Sequence, residues 1–135
     1  MNLEKNNIEV CFTPALFQTK QTEGKHIVVV VDVFRASTTI CAALYGGVEK
    51  IIPVKSLKEA AAFKSQGYTI AGEREGKKLD IATYGNSPFD FNSQDIPKQI
   101  VLTTSNGTVA IKTAGESGEV VVGAFCNLSS LAKWL

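Results

Sequence analysis

Four short polar segments follow apolar, strand-like runs in this sequence, and they hold most of the side chains that could do chemistry. The segments are residues 32–39, 72–74, 103–108 and 123–127. In open parallel α/β sheets, ligands bind outside the carboxyl ends of the strands. We therefore expect the four segments to lie at one edge of a sheet and to contribute to a single site.

Arginine is rare in this chain and falls only within these segments. Of the 14 basic residues, only Arg35 and Arg74 are arginines. The planar guanidinium suits bidentate binding of a phosphate, sulfonate or carboxylate group. The alternative is that each arginine pairs with a neighbouring carboxylate, and spacing alone leaves both interpretations open. Beside Arg74, Glu73 is a candidate metal ligand or base, whereas Glu75 is expected to be a solvated loop charge.

The first segment combines an aspartate with a run of hydroxyl side chains. Asp32 follows a β-branched strand, where it can cap the next helix, bind a metal or act as a nucleophile. Phe34 stands where haloacid-dehalogenase phosphatases carry a second acidic residue, which argues against their aspartyl-phosphate mechanism. Ser37, Thr38 and Thr39 lie in the predicted first turn of a helix, where free amides and the helix dipole favour an anion.

Motifs and charge exclude several classes of protein. The net charge is +1, so no strong field steers nucleic acid or an anionic membrane toward the chain. A dinucleotide-binding glycine motif and a P-loop are absent, and His26 is the only histidine. Cys11, Cys41 and Cys126 form no CxxC pair, and their apolar surroundings predict three buried small hydrophobes.

Length and hydropathy indicate one globular domain. The chain has 135 residues, of which 44% are apolar and 20% charged, and this is ordinary globular composition. The longest apolar run, residues 27–31, is too short to cross a bilayer. Residues 1–9 are polar and do not resemble a signal peptide, so we expect a cytoplasmic location.

Strand and helix patterns alternate along the chain. Strands are predicted at residues 27–31, 51–54, 68–71, 100–103 and 120–122, with a weaker candidate at 8–12. Helices are predicted at residues 36–45, behind a capping box at 56–59, and around 128–135. This order predicts an α/β fold with three α/β/α layers and a mainly parallel sheet.

One turn has two interpretations. Asn106-Gly107 between apolar residues is typical of a β-hairpin, but the flanking βαβ pattern favours a strand-to-helix turn. Residues 73–99 form a long segment with little periodicity, and long loops in compact domains are commonly functional.

The post-strand motifs, taken in order, resemble one family, the magnesium-dependent 2-phosphosulfolactate phosphatases of the ComB type. The motifs are VDVFRASTTI at 31–40, GEREGKK at 72–78, GNSP at 85–88, LTTSNGT at 102–108 and VGAFCN at 122–127. Family members are substantially longer, and the chain resembles their N-terminal portion. We therefore expect residues 1–135 to be a single α/β domain that forms the N-terminal part of a longer family domain.

The resemblance implies hydrolysis of 2-phospho-3-sulfolactate, a small doubly anionic phosphate ester, to 3-sulfolactate and phosphate in coenzyme M biosynthesis. It implies that Asp32, Arg35 and Glu73 are catalytic, with Asp32 and Glu73 holding Mg²⁺ and Arg74 binding the second anion. The residues expected to bind substrate are Ser37, Thr38, Thr39, Arg74, Asn86, Ser87, Thr104, Asn106, Gly107, Thr108 and Asn127.

Two other hypotheses stay open. The chain could be a non-catalytic module that binds an anion or a metal and needs a missing C-terminal part. Alternatively, Trp134 and Leu135 at the apolar end could dock onto a missing half or onto a second subunit, which leaves a homo-oligomer open.

Overall fold

The apolar runs form two separate sheets in the computed structural model, which describes residues 8–18 and 26–135. In the smaller sheet, β1 (Ile27–Val31) pairs in parallel with the last strand, Glu119–Gly123. The larger sheet has the spatial order Lys50–Pro53, Gln99–Thr103, Thr69–Arg74 and Lys77–Lys78. We number these four strands β2, β5, β3 and β4 by chain position, and Glu119–Gly123 is β6. Among the strands described, only β4 runs antiparallel to its neighbour.

Five helices connect and flank the strands in the described part of the chain. They are α1 (Pro14–Gln18), α2 (Ala36–Tyr45), α3 (Leu57–Ser65), α4 (Gly107–Ala114) and α5 (Leu128–Trp134). Two 3₁₀ turns, Pro88–Phe91 and Phe125–Asn127, lie in the connections before β5 and before α5. None of the helices in residues 8–18 and 26–135 has the length and apolar character needed to span a membrane.

Alternation along β5 builds the three predicted layers around the larger sheet. Ile100 and Leu102 point to one face and pack with Ile40 of α2, whereas Val101 points to the other face and packs with Ala60 of α3. All three β5 side chains are at most 1% exposed. Burial of each contributes about 1.5–3 kcal/mol to folding. The α/β class and the mainly parallel sheet are therefore confirmed.

Several sequence predictions need correction. The weak strand at residues 8–12 is wrong, because this segment is irregular and leads into α1. The hairpin alternative at Asn106-Gly107 is also wrong, because Gly107 begins α4. A single sheet was expected, but β1 and β6 hydrogen-bond only to each other among the described strands. The long segment 73–99 contains the short strand β4 and a 3₁₀ turn.

The prediction that all three cysteines are buried is likewise wrong. Cys11 and Cys41 are half-buried, and Cys126 is exposed in the 3₁₀ turn after β6. An apolar neighbourhood in sequence does not specify burial at a turn, because the side chain can point outward there.

The predicted capping box is present at the start of α3. The Ser56 hydroxyl accepts a hydrogen bond from the Glu59 amide at 3.1 Å, and the Glu59 carboxylate accepts one from the Ser56 amide at 2.8 Å. Each bond satisfies an amide that the helix itself leaves without a partner. These contacts hold the pKa of Glu59 below its usual value, chiefly through the Ser56 amide.

We predict that Ser56→Ala lowers the free energy of unfolding by about 1 kcal/mol, because the Glu59 amide loses its acceptor. Urea denaturation followed by circular dichroism measures this loss. The control is Ser65→Ala at the other end of α3, where the hydroxyl only donates to the Ala62 carbonyl within its own helix. Equal losses in both variants would contradict the capping role.

Candidate functional site

The first residues of α2 and α4 meet at a glycine. A Cβ atom added to Gly107 would overlap the Ala36 side chain and would lie 2.9 Å from the Asp32 Oδ2 atom. Gly107 opens α4 and Ala36 opens α2, so the amino ends of both helices converge beside Asp32. Only a glycine allows this approach, because every other residue carries a Cβ.

Backbone and hydroxyl contacts hold Asp32 at this junction. The Ser37 amide donates to the Asp32 carbonyl at 2.9 Å, and the Asp32 amide donates to the Ser37 hydroxyl at 2.8 Å. The same hydroxyl donates to the Val30 carbonyl at 3.2 Å. The Asp32 carboxylate itself accepts no hydrogen bond and pairs with no cation among the described residues. Its backbone is fixed while its charge is left for another partner.

Both helices begin without a side-chain cap. Arg35 and Asn106 occupy the N-cap positions of α2 and α4, and neither side chain makes a capping hydrogen bond. The first-turn amides of Ala36, Thr38, Gly107 and Val109 donate to no acceptor in the described part of the chain. Uncapped amino ends of this kind attract anions through their free N–H groups and the helix dipole.

A cavity of about 230 Å³ opens at this junction. Its polar wall contains Asp32, Ser105 and Asn106, and its apolar wall contains Phe12 and Val31. The Arg35 guanidinium forms no hydrogen bond or ion pair with any described residue. The junction therefore offers a carboxylate and free amides for binding a small charged ligand, and Arg35 precedes α2 beside it without lining the cavity.

Glu73 lies at the end of β3 and clamps two loops together. Its carboxylate accepts hydrogen bonds from the Ser105 amide at 2.7 Å, the Gly76 amide at 2.8 Å and the Ser105 hydroxyl at 3.2 Å. Only 6% of the residue is exposed. Burial by itself raises the pKa of Glu73, but the Ser105 and Gly76 donors outweigh it and the pKa lies below the usual value. Glu73 is therefore ionised and fixes the loop that leads to Gly107.

Arg74 is tied to the protein rather than left free. Its guanidinium donates to the Glu73 carbonyl at 2.6 Å, the Thr103 hydroxyl at 2.7 Å and the Lys55 carbonyl at 3.3 Å. These acceptors lie at the carboxyl ends of β3, β5 and β2. Arg74 thus joins three neighbouring strand ends through two carbonyls and a hydroxyl, rather than through the neighbouring carboxylate that the sequence left open as an alternative.

The loop before the first 3₁₀ turn is attached to α2. The Thr39 hydroxyl donates to the Asn86 carbonyl at 3.0 Å, and both residues are at least nine-tenths buried. The Asn86 Oδ1 atom is buried and has no hydrogen-bond partner. Ser87 caps the 3₁₀ turn by accepting from the Phe89 amide at 3.3 Å. A buried acceptor without a donor is costly, so Asn86 Oδ1 is suited to receive a bond from a ligand or a water.

Most of the other predicted substrate-binding hydroxyls and amides stabilise loops. Thr104 and Thr108 bond reciprocally, each hydroxyl accepting from the other residue's amide at 3.0 and 3.1 Å. The Thr38 hydroxyl donates to the Val33 carbonyl at 2.9 Å. The Asn127 side chain accepts from the Ala124 amide and donates to the Val122 carbonyl, each at 2.8 Å. The side chains of these residues are used in hydrogen bonds that shape the loops around the site, rather than being free to contact a ligand.

The structure links three of the four predicted segments directly. Segment 32–39 meets segment 103–108 at Gly107, and segment 103–108 meets segment 72–74 through Glu73 and Ser105. The fourth segment follows β6, which pairs with β1, and its 3₁₀ turn packs on α2. Within residues 8–18 and 26–135, there is no group of three or more histidine, cysteine, aspartate or glutamate side chains that could hold a metal ion.

Two contributors to the site were missed from sequence. Ser105 lies inside the 102–108 motif, but no local pattern shows that its amide and hydroxyl donate to Glu73. Phe12 borders the cavity because residues 8–13 are irregular rather than a strand. The pattern of residues 8–12 predicted a strand, which gave no indication that Phe12 borders a site.

The fold and site define an α/β protein whose polar strand-end segments converge on two helix amino ends. Residues 11–135 match the family model described as 2-phosphosulpholactate phosphatase. The chain therefore belongs to the 2-phosphosulfolactate phosphatase family, as its motifs had indicated, and the named activity of this family is that of a phosphoric monoester hydrolase.

Curated relatives named probable 2-phosphosulfolactate phosphatase support this assignment. The protein from Thermotoga maritima is 43% identical over 108 residues, which cover 79% of this chain and 47% of that protein. The protein from Carboxydothermus hydrogenoformans is 40% identical over 130 residues, which cover 95% and 53% of the two chains. The chain spans about half the length of the curated relatives it matches.

We predict that Gly107→Ala lowers the free energy of unfolding by about 2 kcal/mol, because the new methyl group must displace α2 or Asp32. The control is Gly115→Ala after α4, where the nearest atom to a new Cβ is the Ile111 carbonyl oxygen at 3.4 Å. This control should change stability by less than about 0.5 kcal/mol. Urea denaturation measures both, and equal effects would contradict the close approach.

We predict that Glu73→Gln destabilises the protein by about 2 kcal/mol at neutral pH, since one amide N–H₂ group must face a backbone donor. The ionised form is favoured in the folded protein, so its contribution is present above the ordinary pKa of 4.5. It is lost as the pH falls through the lower folded value. The stability difference between wild type and Glu73→Gln should therefore shrink with acid.

Thermal unfolding, followed from neutral pH into acid, measures the stability difference between wild type and Glu73→Gln. The control is Glu75→Gln, because Glu75 is exposed and two residues away on the same turn. Its difference from wild type should stay small at every pH. A difference for Glu73→Gln that is constant from neutral pH into acid would rule out the ionised clamp.

Proposed function

We propose that this protein is a magnesium-dependent phosphatase that hydrolyses 2-phospho-3-sulfolactate to 3-sulfolactate and phosphate. The observation that carries the proposal is the convergence of the amino ends of α2 and α4 beside the unpartnered Asp32 carboxylate. Family membership supports the reaction class, and the names of the relatives support the substrate. A role in coenzyme M biosynthesis and a cytoplasmic location remain predictions.

The phosphate would bind where the free amides converge. First-turn amides of α2 and α4 point donors at a ligand without rearranging, and Arg35 adds a guanidinium that is not held by another described residue. Donors held in place before the reaction stabilise charge as it develops on phosphoryl oxygens. No side chain at the junction stands out as a covalent nucleophile, so water is the proposed attacking group.

Asp32 is the residue that best fits a magnesium ligand. An unpaired carboxylate repels phosphate, so placing both at one junction is stable only if a cation lies between them. Mg²⁺ prefers oxygen ligands and is commonly held by one or two carboxylates together with waters and substrate phosphates. When bound, the ion would offset phosphoryl charge and lower the pKa of a coordinated water.

Glu73 supports this ion less well than Asp32 does. Its oxygens already accept three hydrogen bonds from Ser105 and Gly76, which satisfy the charge within the protein. We keep Glu73 as a proposed second ligand, but the contacts favour a role in positioning the 103–108 loop. One carboxylate with waters and substrate oxygens is enough for the magnesium chemistry proposed here.

The rest of the substrate has two proposed contacts. Arg74 would take the sulfonate or carboxylate group through the guanidinium N–H groups that do not bond to Glu73, Lys55 or Thr103. The loop at Asn86 and Ser87 would close over the substrate, and the unpartnered Asn86 Oδ1 atom supports a contact from this loop.

We predict that Asp32→Asn lowers magnesium-dependent phosphate release by roughly 100-fold or more while the fold is kept, since asparagine retains the shape and loses the charge. Release of inorganic phosphate from 2-phospho-3-sulfolactate is measured over a range of Mg²⁺ concentrations. The control is Asp95→Asn, because Asp95 is exposed and makes no hydrogen bond or ion pair with described residues. Full turnover in Asp32→Asn would refute the assignment.

A second candidate function is a non-catalytic anion- and metal-binding domain that requires a further part of the polypeptide. It is favoured by the junction's single unpartnered carboxylate, since the described residues gather no group of three or more side chains that could hold a metal. Amide correlation spectra titrated with Mg²⁺ and then phosphate separate the two functions. Shifts at residues 32–39 and 104–108 without turnover support the binding module, and shifts with turnover support the enzyme.

A further inference from the structure

Two cysteines that are far apart in sequence lie together in the fold. Cys41 is in the second turn of α2, and Cys126 is in the 3₁₀ turn Phe125–Asn127. This turn packs against α2, and the Cys126 thiol lies near enough to Cys41 to perturb it electrostatically. Both are free thiols. The pair is separate from the polar atoms assigned to phosphate and magnesium.

We propose that Cys41 and Cys126 form a redox-modification site, in which a peroxide converts the two thiols into a reversible intramolecular disulfide. The bond would join α2 to the turn after β6. This inference does not depend on the proposed phosphatase activity, because it requires only the fold and the two side chains.

Exposure and burial assign different roles to the two thiols. Cys126 is exposed, so a dissolved oxidant reaches it directly. Burial, with the neighbouring Cys126 thiol as a further cause, raises the pKa of Cys41 to about 11. Thiolates rather than thiols attack peroxides, so Cys41 reacts slowly with the oxidant at neutral pH. Cys126 is therefore the first residue oxidised, and Cys41 is the resolving thiol.

The reaction balances with one peroxide. The Cys126 thiolate attacks a peroxide oxygen, so an S–O bond forms, the O–O bond breaks and hydroxide leaves to become water. The Cys41 sulfur then attacks the Cys126 sulfenic sulfur, so the S–S bond forms and the S–O bond breaks. The Cys41 proton leaves with the second water. Two thiols lose two electrons, and the peroxide is reduced to two waters.

The test is peptide mapping of the purified chain after brief treatment with hydrogen peroxide at low protein concentration. Remaining thiols are alkylated with N-ethylmaleimide in denaturant, and the protein is digested with trypsin without reduction. The expected product links the peptide of residues 36–50 to that of residues 113–133, with the mass of two hydrogen atoms lost. Dithiothreitol should separate the two peptides again.

Single variants and a denatured control make the result specific. Cys11→Ser should still form the link, whereas Cys41→Ser and Cys126→Ser should not. Oxidation in urea should spread pairing over all three cysteines, because the fold no longer selects a pair. The proposal is overturned if native protein shows only Cys126 sulfinic acid, an intermolecular Cys126 dimer, or a link involving Cys11.

Discussion

The site depends on one steric constraint, the contact between the first residues of α2 and α4. Gly107 lies where a Cβ atom would overlap Ala36 and crowd Asp32, so the two helices can meet only through a residue without a side chain. The contact also joins the two sheets, because α2 follows β1 in the smaller sheet and α4 follows β5 in the larger one. A pair of uncapped helix ends and an aspartate are brought together as a result.

Electrostatics explains why this junction is suited to a charged ligand. Two sets of free amides and the positive ends of two helix dipoles favour negative charge, and Asp32 supplies one charge that no described residue pairs with. An anion and a carboxylate can share the junction only when a cation separates them. A phosphate ester and Mg²⁺ bound together at this junction, as in the function proposed above, would be consistent with this geometry.

A network of hydrogen bonds keeps the junction in place. The carboxylate oxygens of Glu73 accept hydrogen bonds from Ser105 and Gly76, and Arg74 joins the ends of three strands. Both residue types suggest catalysis when they follow a strand. Here their hydrogen bonds go to the protein itself, and this fixes the loop that ends at Gly107. Residues that position a site and residues that act in it can share the same sequence motif.

Sequence alone determined the α/β class, the order of elements from β1 to α5 apart from β4 and the 3₁₀ turns, the capping box and the family, because these follow from local periodicity, capping chemistry and short motifs. It also placed the chemistry after the strands. Tertiary structure decided which of those residues are free. Asp32 and Arg35 keep unpartnered groups, whereas Glu73 is satisfied by Ser105, a residue 32 positions away. Satisfaction of a charge depends on which distant donors the fold brings near, and no local pattern contains that information.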